Sequence, residues 1–231
     1  MKPYQQIAIA ECGELLVPIP VEIFALESPH PYQLLGATYA QMSPYCLRES
    51  VFNNLIKAQK YLQSKHNGWR IQIFDAYRPV AVQQFMVDYT FAQVVKAQKL
   101  NIANLSTTEI QDIWQQVYQI WAVPSLDPLT PPPHSTGAAV DITLVDDTGK
   151  VVDMGSPIDE LSARSHPDHF ADTNLAAHQH RQLLKEVMEY AGFARHPGEW
   201  WHFCQGDQMW AWLSNTINPN NPVIARYGRV E

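Results

Sequence analysis

Basic clusters are missing from this chain. Its 16 lysines and arginines are outnumbered by 23 aspartates and glutamates, for a formal charge of −7 and an isoelectric point near 5.7. With no Lys/Arg stripe to neutralise phosphates, nucleic acid and anionic membrane surfaces are poor partners. Cysteine is scarce as well: Cys12, Cys46 and Cys204 are an odd, widely spaced set without a C-x-x-C pair. Such a set is no disulfide framework, and all three read as small buried hydrophobes or idle thiols. No window holds the roughly 20 apolar residues that a membrane span needs. The opening MKPYQQIAIAECGELLVPIP is broken by Glu and Pro and makes no convincing signal peptide. A reducing, cytoplasmic setting is expected. H-E-x-x-H and G-x-S-x-G are both absent, which sets aside the commonest zinc-helix and serine-hydrolase signatures.

What is present suits one globular domain. The 231 residues are 46% hydrophobic and 17% charged, enough to build a core without disulfides. Residues 1–33 carry five prolines and are expected as an extended arm with a short strand at Leu15–Val17. Leu47, Val51, Leu55 and Leu62 recur at helical spacing before the Asn67-Gly68 stop. In WRIQIFDAYRP, Ile71 and Ile73 alternate with Arg70 and Gln72 as in a half-buried strand. Pro79 then suits the first turn of a helix with Val82, Phe85 or Met86, and Tyr89 on its apolar stripe. Ser106-x-x-Glu109 is a capping box ahead of Ile110, Ile113, Trp114, Val117 and Trp121, aromatics that read as core. A proline-dense linker, PSLDPLTPPP, leads to His134. AAVDITLVDDTGKVVDMG reads as two strands joined at Asp147-Thr148-Gly149. Asn174 caps a helix carrying Leu175, Leu183, Leu184, Val187 and Met188, and Gly192 stops it. A last strand at Trp200–Cys204 precedes an aromatic helix around Trp210 and Trp212. Strands and helices mix without regular βαβ alternation, so the class is α+β. The expected organisation is a single domain over residues 1–231, with the arm at 1–33 and a C-terminal tail at 206–231.

Nine histidines are the first candidates for chemistry. His30, His66 and His196 lie in loop contexts with no second ligand type at useful spacing, and read as surface or satisfied side chains. His178 and His180 sit two apart on a helix and point to different faces. His166 and His169 are closer to a metal pattern, but in a loop. His134 and Asp141 bracket HSTGAAVD at the opening of a strand. Seven positions apart, they fall on opposite faces of a regular strand, so Gly137 must break the register if both are to ligate. Glu199 and His202 in EWWH are either a proton acceptor with a ligand or an exposed polar pair. Trp200 and Trp201 beside them are candidates to dry such a site. Arg78, between a strand and a Pro-initiated helix, either presents a fixed guanidinium at the sheet end or simply pairs with Asp75.

Taken in order, DAYRP, HSTGAAVDITL, MGSPID with RSH, and GFARHPGEWWHF resemble the motifs of the D-alanyl-D-alanine dipeptidases. These zinc peptidases include the vancomycin-resistance dipeptidases. The resemblance covers roughly residues 45–205. The wider group shares the H-x-x-G-x-x-x-D and E-x-x-H core with D,D-carboxypeptidases and the hedgehog-type zinc fold. The resemblance implies a mainly antiparallel central sheet flanked by helices. It also implies one catalytic Zn2+ held by His134, Asp141 and His202, Glu199 as general base, Arg78 as the oxyanion-stabilising arginine, and Asp159 as acceptor of the dipeptide's free amino group. Two departures concern substrate recognition. Pro132 stands where better-known members carry a serine, and the N-terminal NFTG-like motif is missing, with Ala37–Tyr45 in its place.

The expected activity is zinc-dependent hydrolysis of D-alanyl-D-alanine, so the expected partner is a small dipeptide. Two alternatives stand beside it. A D,D- or L,D-carboxypeptidase acting on longer cell-wall peptides would need an open cleft on the amino side and no role for Asp159. A zinc-stabilised binding domain would need neither Glu199 nor Arg78.

Overall fold

In this computed structural model, residues 2–40 and 42–230 are described. The central element is a five-stranded sheet in the order β2 (Ala25–Leu26), β4 (Arg70–Asp75), β5 (Ala139–Val145), β7 (His202–Cys204), β6 (Ala194–Arg195). β2 runs parallel to β4, and the β4/β5, β5/β7 and β6/β7 pairs are antiparallel. β1 (Leu16–Pro18) pairs separately with β3 (Cys46–Arg48). The helices are α1 (Pro31–Leu34), α2 (Glu49–Lys65), α3 (Val80–Ala97), α4 (Thr107–Val117), α5 (Leu175–Tyr190) and α6 (Gln208–Ile217). This is an α+β arrangement with a mixed sheet.

Strand alternation explains how the sheet divides its two faces. Ile71 and Ile73 of β4, with Val140, Ile142 and Leu144 of β5, pack against Val51, Leu55 and Leu62 of α2 and Leu184, Val187 and Met188 of α5. Removing each such side chain from water contributes roughly 1.5–3 kcal/mol. Asp141, between Val140 and Ile142, is therefore left to the other face, and the register shift between Ile73 and Asp75 brings Asp75 alongside it. That face also carries a second apolar cluster built by Val82 and Met86 of α3, Ile113 and Val117 of α4, and Trp121. The Ser106 capping box forms as expected, and Asn174 caps α5 by accepting from the Ala177 N–H.

Several boundaries differ from the sequence reading. Pro79 is the N-cap of α3 and not a first-turn residue, a one-residue shift of the kind helix ends allow. The second strand expected after Gly149 is reduced to a bridge between Val145 and Val151. Asp146 Oδ1 accepts from the Thr148 and Lys150 N–H groups and closes the turn, but beyond Val152 the chain turns away into the MGSPID loop. The 1–33 segment is not simply extended. It contains the 3-10 turn Pro3–Gln6, β1, edge strand β2 and the start of α1, because Tyr4, Ile19 and Phe24 are apolar and become buried. Residues after Gly206 likewise form α6 and return Ala225 to pair with Ile9. Among the described residues no helix is long and apolar enough to cross a membrane, and all three cysteines are unpaired.

Gly137 carries the register break that the motif spacing demands. It ends the 3-10 turn Pro133–Thr136 at φ +69°, and a Cβ there would lie 2.3 Å from Leu16 Cδ2. Gly137→Ala is expected to cost about 1–2 kcal/mol from the left-handed backbone alone, before the contact with Leu16 is relieved. Urea denaturation measures it, and an unchanged midpoint would show that the turn does not need glycine.

Candidate active site

Strand register assembles the site. Asp75 of β4 pairs with Asp141 of β5, and Asp141 pairs with His202 of β7. A shift in register between Ile73 and Asp75 completes the alignment. Three polar side chains thus stand in a row across adjacent strands. His134 joins them from the 3-10 turn, whose Ser135 and Thr136 hydroxyls donate to the Pro132 and Pro133 carbonyls at 2.7 and 2.6 Å. These bonds satisfy the two proline carbonyls from within the turn.

The donor atoms of His134, Asp141 and His202 all lie within 4.8 Å of one another, and all three side chains are buried. His134 Nδ1 lies 2.7 Å from the Ala76 carbonyl, which only accepts, so the ring proton belongs there. His134 Nε2 therefore presents a lone pair 3.2 Å from Asp141 Oδ2 and 3.1 Å from His202 Nδ1. His202 Nδ1 lies 2.9 Å from Asp141 Oδ1. Two imidazole nitrogens and a carboxylate converging this closely form a nitrogen/oxygen donor set that fits a cation such as zinc, with the second-layer carbonyl fixing one histidine's tautomer.

Arg78 supplies the compensating charge. Its Nε donates to Asp75 Oδ2 at 2.9 Å, Nη1 to Gln83 Oε1 at 2.9 Å, and Nη2 to the Tyr32 hydroxyl at 3.0 Å and Asp141 Oδ2 at 3.1 Å. The Tyr32 and Trp121 rings each lie 4.9 Å from the guanidinium carbon. Both local readings of Arg78 are thus realised: it pairs with Asp75 and it faces the site. Burial works against ionisation of Asp75, but Arg78 and then His30 hold its carboxyl below the usual range. Burial opposes Asp141 too, and His134 with His202 outweigh it, holding that carboxyl well below the usual range.

Glu199 and Asp159 face the same cavity, which Trp121, Ile120, Pro133 and Met209 also line. Burial, then the charges of Asp141 and Asp159, push the Glu199 carboxyl well above its ordinary value. A buried carboxyl raised in this way holds a proton more readily than an exposed one. Asp159 sits at φ +62°, a conformation that non-glycine residues adopt mainly under constraint. Its Oδ2 accepts from the Tyr32 hydroxyl at 2.8 Å, which in turn accepts from Arg78. Burial first, then the Asp141 charge, pushes the Asp159 carboxyl up to about 7.

The loops that carry these two carboxylates are fastened by Arg181 of α5, which is fully buried. It donates to the carbonyls of Met154 at 2.7 Å, His166 at 2.8 Å and Arg164 at 2.9 Å, and to Ser156 Oγ at 3.0 Å. The Trp200 N–H donates to the Ser165 carbonyl at 3.1 Å and its indole N–H to Ser156 Oγ at 3.0 Å. MGSPID, RSH and EWWH are therefore one hydrogen-bonded unit.

All six sequence candidates meet at this cavity: His134, Asp141, His202, Glu199, Arg78 and Asp159. His166 and His169 stay outside it. Trp200 and Trp201 belong to the main core and do not line the cavity. Within Ala37–Tyr45, the Tyr39 hydroxyl donates to Asp75 at 3.0 Å, and no described residue of the segment lines the cavity. Sequence reasoning missed Tyr32, Gln83, Arg181 and His196. His196 is half-buried at the cavity, its Nδ1 3.5 Å from Glu199 Oε1. Its position six residues before His202 was the one available signal.

A buried nitrogen/oxygen triad, a buried glutamate and a fixed guanidinium around one cavity are the groups that a metallopeptidase centre needs. The profile of the D-ala-D-ala dipeptidase family matches residues 26–221. The whole chain is 52% identical to a D-alanyl-D-alanine dipeptidase from Synechocystis sp. (strain ATCC 27184 / PCC 6803 / Kazusa), spanning 98% of that protein. A shorter stretch of 70 residues, 30% of this chain and 36% of the relative, is 44% identical to the D-alanyl-D-alanine dipeptidase of Escherichia coli K12. Among solved structures, VanYB in complex with D-alanine-D-alanine aligns over 79% of this chain and 88% of that one, with a TM-score of 0.48 and 16% identity. The chain belongs to the D-Ala-D-Ala dipeptidase family.

Zinc titration of the metal-free protein is expected to raise its melting temperature, because a ligand at a hundredfold its dissociation constant stabilises by about 2.7 kcal/mol. His202→Ala is expected to abolish the rise. The same zinc stoichiometry and the same shift in His202→Ala would remove His202 from the ligand set.

Proposed function

We propose that this protein hydrolyses the dipeptide D-alanyl-D-alanine to two D-alanines, with one zinc ion held by His134, Asp141 and His202. The observation that carries this reading is the placement of Asp159. Its carboxylate, at a constrained backbone position, closes one part of the cavity that also holds the triad and Glu199. The full-length identity to a named D-alanyl-D-alanine dipeptidase supports it.

Zinc bound by the triad would supply a Lewis acid for the scissile carbonyl and for the attacking water. Glu199 accepts a proton from that water as its oxygen adds to the carbonyl carbon, then returns the proton to the amino nitrogen as the C–N bond breaks. Arg78 opposes the negative charge on the carbonyl oxygen chiefly through its field, since four of its five N–H donors already make hydrogen bonds within the protein. Asp159 pairs with the free ammonium of the dipeptide. An internal amide has no such charge, so a longer peptide would leave this buried carboxylate with the Tyr32 hydroxyl but no cationic partner. We place this activity in the cytoplasm, which suits three unpaired cysteines.

Incubation of the zinc-loaded protein with D-Ala-D-Ala, L-Ala-L-Ala and longer peptides ending in D-Ala-D-Ala is the direct test. Alanine release from the D,D-dipeptide alone is expected; comparable cleavage of the longer peptides would make it a carboxypeptidase instead. Glu199→Gln is expected to keep its zinc and lose about 10²–10⁴-fold in kcat. Full activity there would remove Glu199 as the base.

The pH profile follows from Asp159. Its carboxyl, raised to about 7, is ionised above that pH and pairs with the ammonium; below it, protonation removes the pairing charge. We therefore expect kcat/KM to fall as pH drops through about 7. Asp159→Asn should raise KM and move that limb; an unmoved limb would assign it to another group.

A further inference from the structure

A free dipeptide carries two opposite charges, and Asp159 answers only the ammonium. The cationic side chains around the cavity are Arg78 and Lys2. Arg78 uses four of its five N–H donors on Asp75, Asp141, Tyr32 and Gln83, and its charge answers the two aspartates. The wall that delivers His134 offers Pro133, which has no N–H to donate.

Lys2 is placed differently. Its Nζ makes one long contact, 3.4 Å to the Tyr118 carbonyl, and among the described residues no carboxylate lies within ion-pair distance of it. The side chain is half-buried and stands on the turn Pro3–Gln6, which is firmly anchored. The Lys2 N–H donates to Gln5 Oε1 at 2.8 Å. Tyr4 is buried in a cluster with Ala139, Cys204 and Met209. Gln208, itself buried, donates from Nε2 to the Ile7 carbonyl at 2.7 Å and the Leu129 carbonyl at 3.0 Å. A cation without a carboxylate partner is thus held at the catalytic cavity by a built turn.

We propose that Lys2 binds the free C-terminal carboxylate of the substrate, so that Lys2 and Asp159 together select a peptide with both ends free. The inference rests on the dipeptidase reading. It gives the N-terminal turn a role in recognition, and it explains how a site walled by proline donates to a carboxylate. Lys2 also lies near enough to Glu199 for their charges to interact, so the test must separate substrate binding from tuning of the base.

The test compares the full zinc-loaded chain with its Lys2→Met and Lys2→Arg variants, on D-Ala-D-Ala and on its C-terminal amide. Zinc content and circular dichroism check that each variant is folded and loaded. The wild type is expected to prefer the acid over the amide. Lys2→Met should raise KM for the acid by about 10- to 100-fold, the worth of a hydrogen bond to a charged group, with little change in kcat and none in KM for the amide. Lys2→Arg should restore most of the preference. A wild type that handles acid and amide alike would overturn the assignment. So would a Lys2→Met enzyme that keeps the acid preference, including one whose kcat and pH profile alone have shifted, which would mean that Lys2 acts on Glu199. A wild type inactive on D-Ala-D-Ala would instead overturn the dipeptidase reading, and Lys2 with it.

Discussion

Strand register sets two carboxylates side by side in the interior, and much else follows from the need to neutralise them. Asp75 and Asp141 are paired residues on neighbouring strands, both buried. Two such charges repel each other and lose their hydration, a cost of several kcal/mol per ion unless cations and hydrogen-bond donors replace the water. The Arg78 guanidinium meets this demand because its planar fork reaches both carboxylates at once. Tyr32, Trp121 and Gln83 hold the fork, and the charge left on Asp141 is turned towards two imidazoles. Where this partly compensated row of side chains meets the cavity, its donor atoms converge closely enough to hold a metal ion.

The same economy appears in the loops. Asp159 and Glu199 come from segments with little regular structure, yet neither is free to wander. Arg181 gathers the carbonyls on both sides of the MGSPID loop, and Trp200 ties that loop to EWWH. A buried arginine that satisfies backbone carbonyls also prevents them from being orphaned in the interior. The unusual backbone of Asp159 is held in place by this framework and by Tyr32.

Much of this was legible beforehand for definite reasons. The helix over Glu49–Lys65 followed from the spacing of Val51, Leu55 and Leu62, all of which enter the core. The Ser106 and Asn174 caps were readable because capping is local chemistry. Gly137 was required to turn the chain between His134 and Asp141, and it does so in the left-handed region. The second strand after Gly149 was misread because alternation continues in the sequence while the partner strand does not. Trp200 and Trp201, candidates to dry the site, fill the main core instead, since two adjacent aromatics carry no sign of which layer they fill.

What the sequence determined by itself was a set of candidates: His134, Asp141, His202, Glu199 and Arg78 stood out by residue type and spacing, and Asp159 by the resemblance of MGSPID to a family motif. Tertiary structure alone decided what surrounds them. Tyr32 bridging Arg78 to Asp159, Arg181 clamping three loop carbonyls and Lys2 arriving at the cavity all depend on contacts between distant segments. Such contacts have no period and no fixed spacing in sequence, because they exist only once the hydrophobic core has closed and the buried charges have found partners.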